Sequence, residues 1–178
     1  MTWLSSVYVV GSGGREDVNK SLCKEVVIPM STEYNRTIVR SFYEDGFNQG
    51  DLDSVRPFIA SSFVGHNPII GSLSPGFEGY KQLVAIHRKA FPDIRVKIEE
   101  IIANVDRVIV RWTWRGTHHG HFMGVPPTGL QVKVTGMHIF RIAHGKIAES
   151  WVNWDTYGLM QQIGHSPALM QPGNYSLN

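Results

Sequence analysis

The chain has 178 residues, 17 basic and 15 acidic side chains, a net charge of +2, and only 18% charged against 42% hydrophobic and 11% aromatic residues. That length suits one domain, and the composition excludes both a disordered chain and a general nucleic-acid binder, which would carry a concentrated Lys/Arg stripe. The single Cys23 excludes an internal disulfide framework and a cysteine-built zinc site. No apolar run nears the roughly 20 residues that cross a bilayer, and residues 1–10 lack the pattern of a signal peptide. The expectation is a cytoplasmic protein with no membrane and no nucleic-acid partner.

Residues 1–29 read as an extension of unknown role. Val7-Tyr8-Val9-Val10 suggests a strand, followed by Gly11-Ser12-Gly13-Gly14. A glycine-rich turn after a strand can cradle phosphate, but only with a crossover helix, a second parallel strand and an acidic ribose partner downstream. Those elements do not follow, so the glycines are read as a turn. Cys23 has no evident partner and is taken as structural. The extension holds equal numbers of acidic and basic residues, so the whole net charge belongs to the remainder.

The remainder divides into a domain, 30–164, and a loosely ordered tail, 165–178. Tyr34, Ile38 and Phe42, with the adjacent row Val39, Tyr43 and Phe47, make one apolar helical stripe over 32–48. Gly50 ends it, and Asp51 can cap a short helix over 52–58. A short strand over 61–65 leads to His66-Asn67-Pro68, where the proline keeps Asn67 extended. A third helix fits 76–91, with Tyr80, Leu83, Val84, His87 and Phe91 on one side and Pro92 as its stop.

From Ile94 onward the period changes from 3.6 to 2. Strands are predicted over 94–103, 108–115, 132–142 and 146–154. A loop over 117–129 carries His118-His119-Gly120-His121. Three histidines in one loop without an evident carboxylate make a poor zinc site, so they are read as a polar loop. Asp155 can cap a last helix, 156–163, closed by Gly164. Helices first and antiparallel strands after define an α+β chain, its helices on one face of a curved sheet.

The last hairpin decides which side chains share the inner face. A two-residue turn at His144-Gly145 pairs Ala143 with Lys146 and would bring Asn153 and Asp155 among Val132, Val134 and Ile142. A three-residue turn pairs Ile142 with Lys146, places Ser150 opposite His138, and keeps Phe140, Val152 and Trp154 on the apolar face. Patterning favours the second.

An ordered series of segments carries a family likeness: Asn48-Gln49-Gly50-Asp51-Leu52, His66-Asn67-Pro68, Ala90-Phe91-Pro92-Asp93, Gly116-Thr117-His118, the run from Phe122 to Gly129, Gly145-Lys146-Ile147 and Gln162-Ile163-Gly164. The chain resembles the SnoaL-like polyketide cyclase (ester cyclase) family of the nuclear transport factor two-like fold. The resemblance implies a cone of three N-terminal helices against a curved, mainly antiparallel sheet that encloses an apolar pocket. It further implies a cofactor-independent intramolecular aldol condensation on a polyketide methyl ester, without a metal, and a homodimer.

Family members use a histidine and an aspartate on the last two strands. The histidine falls on His138. The aspartate falls on Val152, which cannot accept a proton. Asp155 remains as candidate base or helix cap. His66, Asn67, Trp112, Trp114, His118, Phe140, Ser150, Val152 and Trp154 are the candidate pocket residues, with a small hydrophobic molecule as partner. Three functional classes follow: a cyclase built on His138, a non-catalytic hydrophobic-ligand binder that kept the pocket and lost the base, and an epoxide hydrolase. The last requires carboxylates that the inner face does not offer.

Overall fold

A computed structural model describes residues 31–67, Ile70 and 73–165. The expected extension, with Cys23 and its glycine-rich turn, and the tail beyond His165 lie outside the described residues.

Helix α1, Thr32–Ser41, starts where the Ser31 hydroxyl accepts from the Tyr34 N–H. It runs directly into a π-helical segment, Phe42–Gln49, which ends at Gly50 with φ 77°. The single helix expected from the apolar stripe is therefore two geometries in series. Tyr80 explains the change. Its hydroxyl donates to the Phe42 carbonyl at 2.8 Å, a side chain inserted into the helical ladder. Only glycine fits at position 46, because a Cβ there would lie 1.5 Å from the Tyr80 oxygen.

Asp51 caps the short α2, Leu52–Val55, which continues as a 3₁₀ turn, Arg56–Phe58. Strand β1, Ile59–His66, precedes α3, Gly76–Ala90. Four antiparallel strands follow: β2, Arg95–Asn104; β3, Arg107–Thr117; β4, Gln131–Ala143; and β5, Lys146–Trp154. Helix α4, Thr156–Gln162, closes the described chain. The sheet order is β1-β5-β4-β3-β2, with β1 parallel to β5 and the other pairs antiparallel. This is the mixed, mainly antiparallel α+β sheet that the sequence predicts. Its inner face packs on α1, the π segment and α3 around Phe42, Tyr80, Phe91 and Phe140, all 0% exposed.

The last hairpin corrects one expectation and keeps its consequence. The turn has two residues, with Ala143 paired to Lys146 and both His144 (φ 51°) and Gly145 (φ 70°) left-handed, the geometry that matches strand twist. A bulge then inserts one residue in β5, because Ile142 pairs with Ile147 while Arg141 pairs with Glu149. The bulge restores the parity that the short turn would have reversed. Val152 thus faces His138, Trp154 faces Gly136 and Ser150 faces Phe140. Beyond the bulge, Ser150, Val152 and Trp154 each stand two positions from the expected partner and keep their face, whereas Ile147, before it, pairs with Ile142 and is buried on the face where the three-residue turn would have put Lys146.

Candidate active site

His138 is the buried polar centre of the inner face, 5% exposed. Its Nδ1 lies 2.7 Å from the Tyr43 hydroxyl, and its ring is 4.1 Å from that of Phe140. Burial drives its pKa down to about 3, so the imidazole is neutral. Burial, with the neighbouring Tyr80, raises the Tyr43 pKa well above the ordinary phenol value, so Tyr43 keeps its proton.

That proton assigns the tautomer. Among the described residues, Tyr43 has one hydrogen-bond acceptor, His138 Nδ1. A buried hydroxyl must donate somewhere, so Tyr43 donates and Nδ1 accepts. The imidazole proton is then on Nε2. Nε2 is buried and has no partner among the described residues. The indole Nε1 of Trp112 is likewise buried and unbonded. It lies near enough to Tyr43 to offset slightly the rise in that group's pKa, yet outside hydrogen-bonding geometry. A donor stranded in this way costs about 1–3 kcal/mol. Two such donors on residues that line one cavity mark a place where an acceptor from outside the protein belongs.

The donors belong to the wall of an apolar cavity of about 50 Å³, lined by Phe42, Tyr43, Phe47, Asn67, Leu83, His87, Ile94, Val96, Trp112, Trp114, His138, Val152 and Trp154. A second void of about 20 Å³ shares Asn67, Leu83, His138 and Val152 with it and reaches Ser150. Among the described residues, no carboxylate lines either one. Gly136 opens the site to Trp112, whose ring would lie 2.5 Å from a Cβ at that position. The π segment supplies Phe42, Tyr43 and Phe47, three of the cavity's aromatic residues.

The predicted site residues separate into three groups. Asn67, Trp112, Trp114, His138, Val152 and Trp154 line the larger cavity, and Ser150 lines the smaller void. Phe140 lies behind His138, fully buried, as support for its ring. His66, His118 and Asp155 are directed elsewhere. The His66 residue borders the smaller void, but its imidazole stacks on Trp151 at 5.2 Å on the outer sheet face. His118 is fully buried against Phe91 at 5.3 Å, and its Nδ1 is 3.1 Å from the Thr128 hydroxyl. Its main chain anchors Thr128, Gly129 and Leu130, so it organises the loop rather than the cavity. Asp155 is exposed and accepts from the Gly158 N–H at 2.8 Å, which is its capping role.

Two participants escape the sequence reading. Tyr43 reads as one member of a helical stripe, and its hydroxyl is invisible to periodicity. His87 reads as part of the apolar side of α3. The structure places it in the cavity wall, 8% exposed, with Nδ1 2.8 Å from the Leu83 carbonyl. The only sequence signal was a titratable residue in an otherwise apolar row.

An open α+β half-cone with buried hydrogen-bond donors in an aromatic cavity defines a class of small-molecule sites. A profile of the SnoaL-like polyketide cyclase family matches residues 37–163, and the chain belongs to that family. It is 30% identical over 143 residues to the aklanonic acid methyl ester cyclase DnrD of Streptomyces peucetius, covering 76% of this chain and 92% of that one. It is 27% identical over 125 residues to the nogalonic acid methyl ester cyclase of Streptomyces nogalater, covering 66% and 89%. Among solved structures, IdmH from Streptomyces antibioticus superposes with a TM-score of 0.63 at 32% identity, over 74% of this chain and 99% of that one. AclR from Streptomyces galilaeus gives 0.67 at 28% identity, over 77% and 100%.

Proposed function

We propose that this protein is a cofactor-independent cyclase that closes a ring by intramolecular aldol chemistry on a small, apolar, polyketide-like carbonyl compound. The observation that carries the reading is the unpartnered Nε2–H of His138 in an apolar cavity. Such a donor holds a substrate carbonyl and stabilises the enolate oxygen that forms when a neighbouring C–H bond breaks. Tyr43 acts through His138 by fixing the tautomer that donates. A drug-sized ligand fills a site of roughly 300–1,000 Å³. Binding therefore requires Leu83 and Asn67, which border both voids, to move aside and merge them.

Aklanonic acid methyl ester and nogalonic acid methyl ester, taken from the names of the two relatives, are the first substrates to try. His138→Ala should lower turnover by about 10²-fold or more, the scale expected for a preorganised donor, while the near-ultraviolet spectrum stays native. Unchanged turnover would remove His138 from the chemistry.

Val152 motivates a second reading, a binding protein that has lost the family's carboxylate. That reading predicts tight association with an apolar aromatic ligand, an affinity that changes in His138→Ala, and no conversion of either ester.

We also propose a cytoplasmic homodimer. No described helix is long and apolar enough to cross a membrane. The outer sheet face carries a continuous row, Ile102, Ile109, Ile139, Trp151 and His66, aligned across all five strands. Its isoleucines are 51%, 41% and 41% exposed. An apolar stripe of this extent suits a partner surface. Sedimentation should give a dimer, and Ile139→Arg should shift it to monomer. A monomeric wild-type protein at micromolar concentration would reject the dimer.

A further inference from the structure

We propose that His87 is the proton acceptor of this site. The inference rests on the cyclase reading for its substrate and on the structure for its residue. A proton taken from carbon needs an acceptor in the cavity wall. Among the described residues, the titratable side chains that line the larger cavity are Tyr43, His87 and His138. Tyr43 retains its proton, and His138 presents N–H.

His87 has the opposite tautomer. A carbonyl can only accept, so the 2.8 Å contact with the Leu83 oxygen places the proton on Nδ1. Nε2 then carries a lone pair, and it has no hydrogen-bonding partner among the described residues. Phe47 at 5.7 Å and Phe122 at 5.8 Å hold the ring. Burial lowers the pKa of His87, which keeps the lone pair free at neutral pH. The cavity thus presents a donor on β4 and an acceptor on α3, from two neutral histidines held in opposite tautomers by their Nδ1 partners.

The step balances without an oxidant or cofactor. The substrate C–H bond breaks, and its proton passes to His87 Nε2. The electron pair moves onto the carbonyl oxygen held by His138. The resulting enolate carbon forms a C–C bond with a second carbonyl of the same molecule. The new alkoxide takes the proton back from His87.

Exchange of the α-protons of 2-tetralone, an apolar aromatic ketone, with deuterated water reads the first half of this sequence alone. Wild-type protein should accelerate the exchange. His87→Gln and His87→Ala should each lose about 10²-fold or more of that acceleration. Added imidazole should restore exchange to His87→Ala, an effect that a merely structural role would not produce. Two-bond proton–nitrogen correlations on the wild-type protein should show His87 protonated at Nδ1 and His138 at Nε2. Undiminished exchange in a folded His87 variant, or His87 protonated at Nε2, overturns the proposal. The second measurement decides the matter if the variants do not fold. Wild-type protein that exchanges 2-tetralone but converts neither methyl ester leaves His87 in place and removes the cyclase reading. Protein that does neither removes both.

Discussion

Acidification should cost this protein stability well before its carboxylates titrate. His138 has a pKa of about 3 in the fold and one near 6.5 when the chain is unfolded. The depressed value means that the unfolded state binds the proton first. Stability is full above about pH 6.5 and is lost as pH falls towards 3. Between pH 6.5 and 4.5, His138 alone should remove about 2–3 kcal/mol, a large part of the 5–15 kcal/mol typical of a domain.

His87 is lowered for the same reason, burial, and acts in the same direction. Four carboxylates are also lowered, Asp51 by its bonds to Ser54, Asp93 by its bonds to Thr117, Glu99 by Lys97 and Glu149 by Arg141, and they add their losses only below their unfolded values near 4. Denaturant midpoints measured at pH 7, 6, 5 and 4.5 therefore isolate the histidines. His138→Leu should show a visibly shallower slope. A flat wild-type profile over that range would mean that His138 is not buried as a neutral ring.

The physical reasons for what the sequence showed, and for what it hid, differ by element. Alternation in β3 and β4 and the stripe in α1 come from one buried face, which single residues report directly. The bulge at Ile147-Ala148 breaks alternation, and both residues are buried. Two adjacent apolar residues in an alternating strand were its available mark. Face assignment survived the wrong turn because the short turn and the bulge each shift parity by one. The π segment has no local signature, since its cause is Tyr80, 38 residues away at the bonded pair. His66 and His118 are polar residues near the cavity in sequence order, but their ring partners, Trp151 and Phe91, turn them away from it. His87 is the converse case, because a helical periodicity that reports burial cannot tell a core ring from a cavity wall.

Val152→Asp should reveal how much of the family's arrangement this cavity still holds. Val152 faces His138 across the β4–β5 ladder and borders both voids, and the resemblance places a carboxylate there. A new carboxyl group in an apolar wall carries a desolvation cost, so the variant should lose about 2–4 kcal/mol of stability near neutral pH. The His138 Nε2–H is its natural partner, and a neighbouring anion favours the imidazolium. The His138 pKa should therefore rise from about 3, and the slope between pH 6.5 and 4.5 should flatten. The decisive background is His87→Gln, in which exchange of 2-tetralone is expected to be largely lost. Adding Val152→Asp to that variant should restore exchange at least tenfold, because the carboxylate offers a second acceptor beside the same donor. A folded double variant with a raised His138 pKa and no restored exchange would show that position 152 does not reach the reacting carbon. The histidine on α3 would then be the only acceptor that this cavity can align with its substrate.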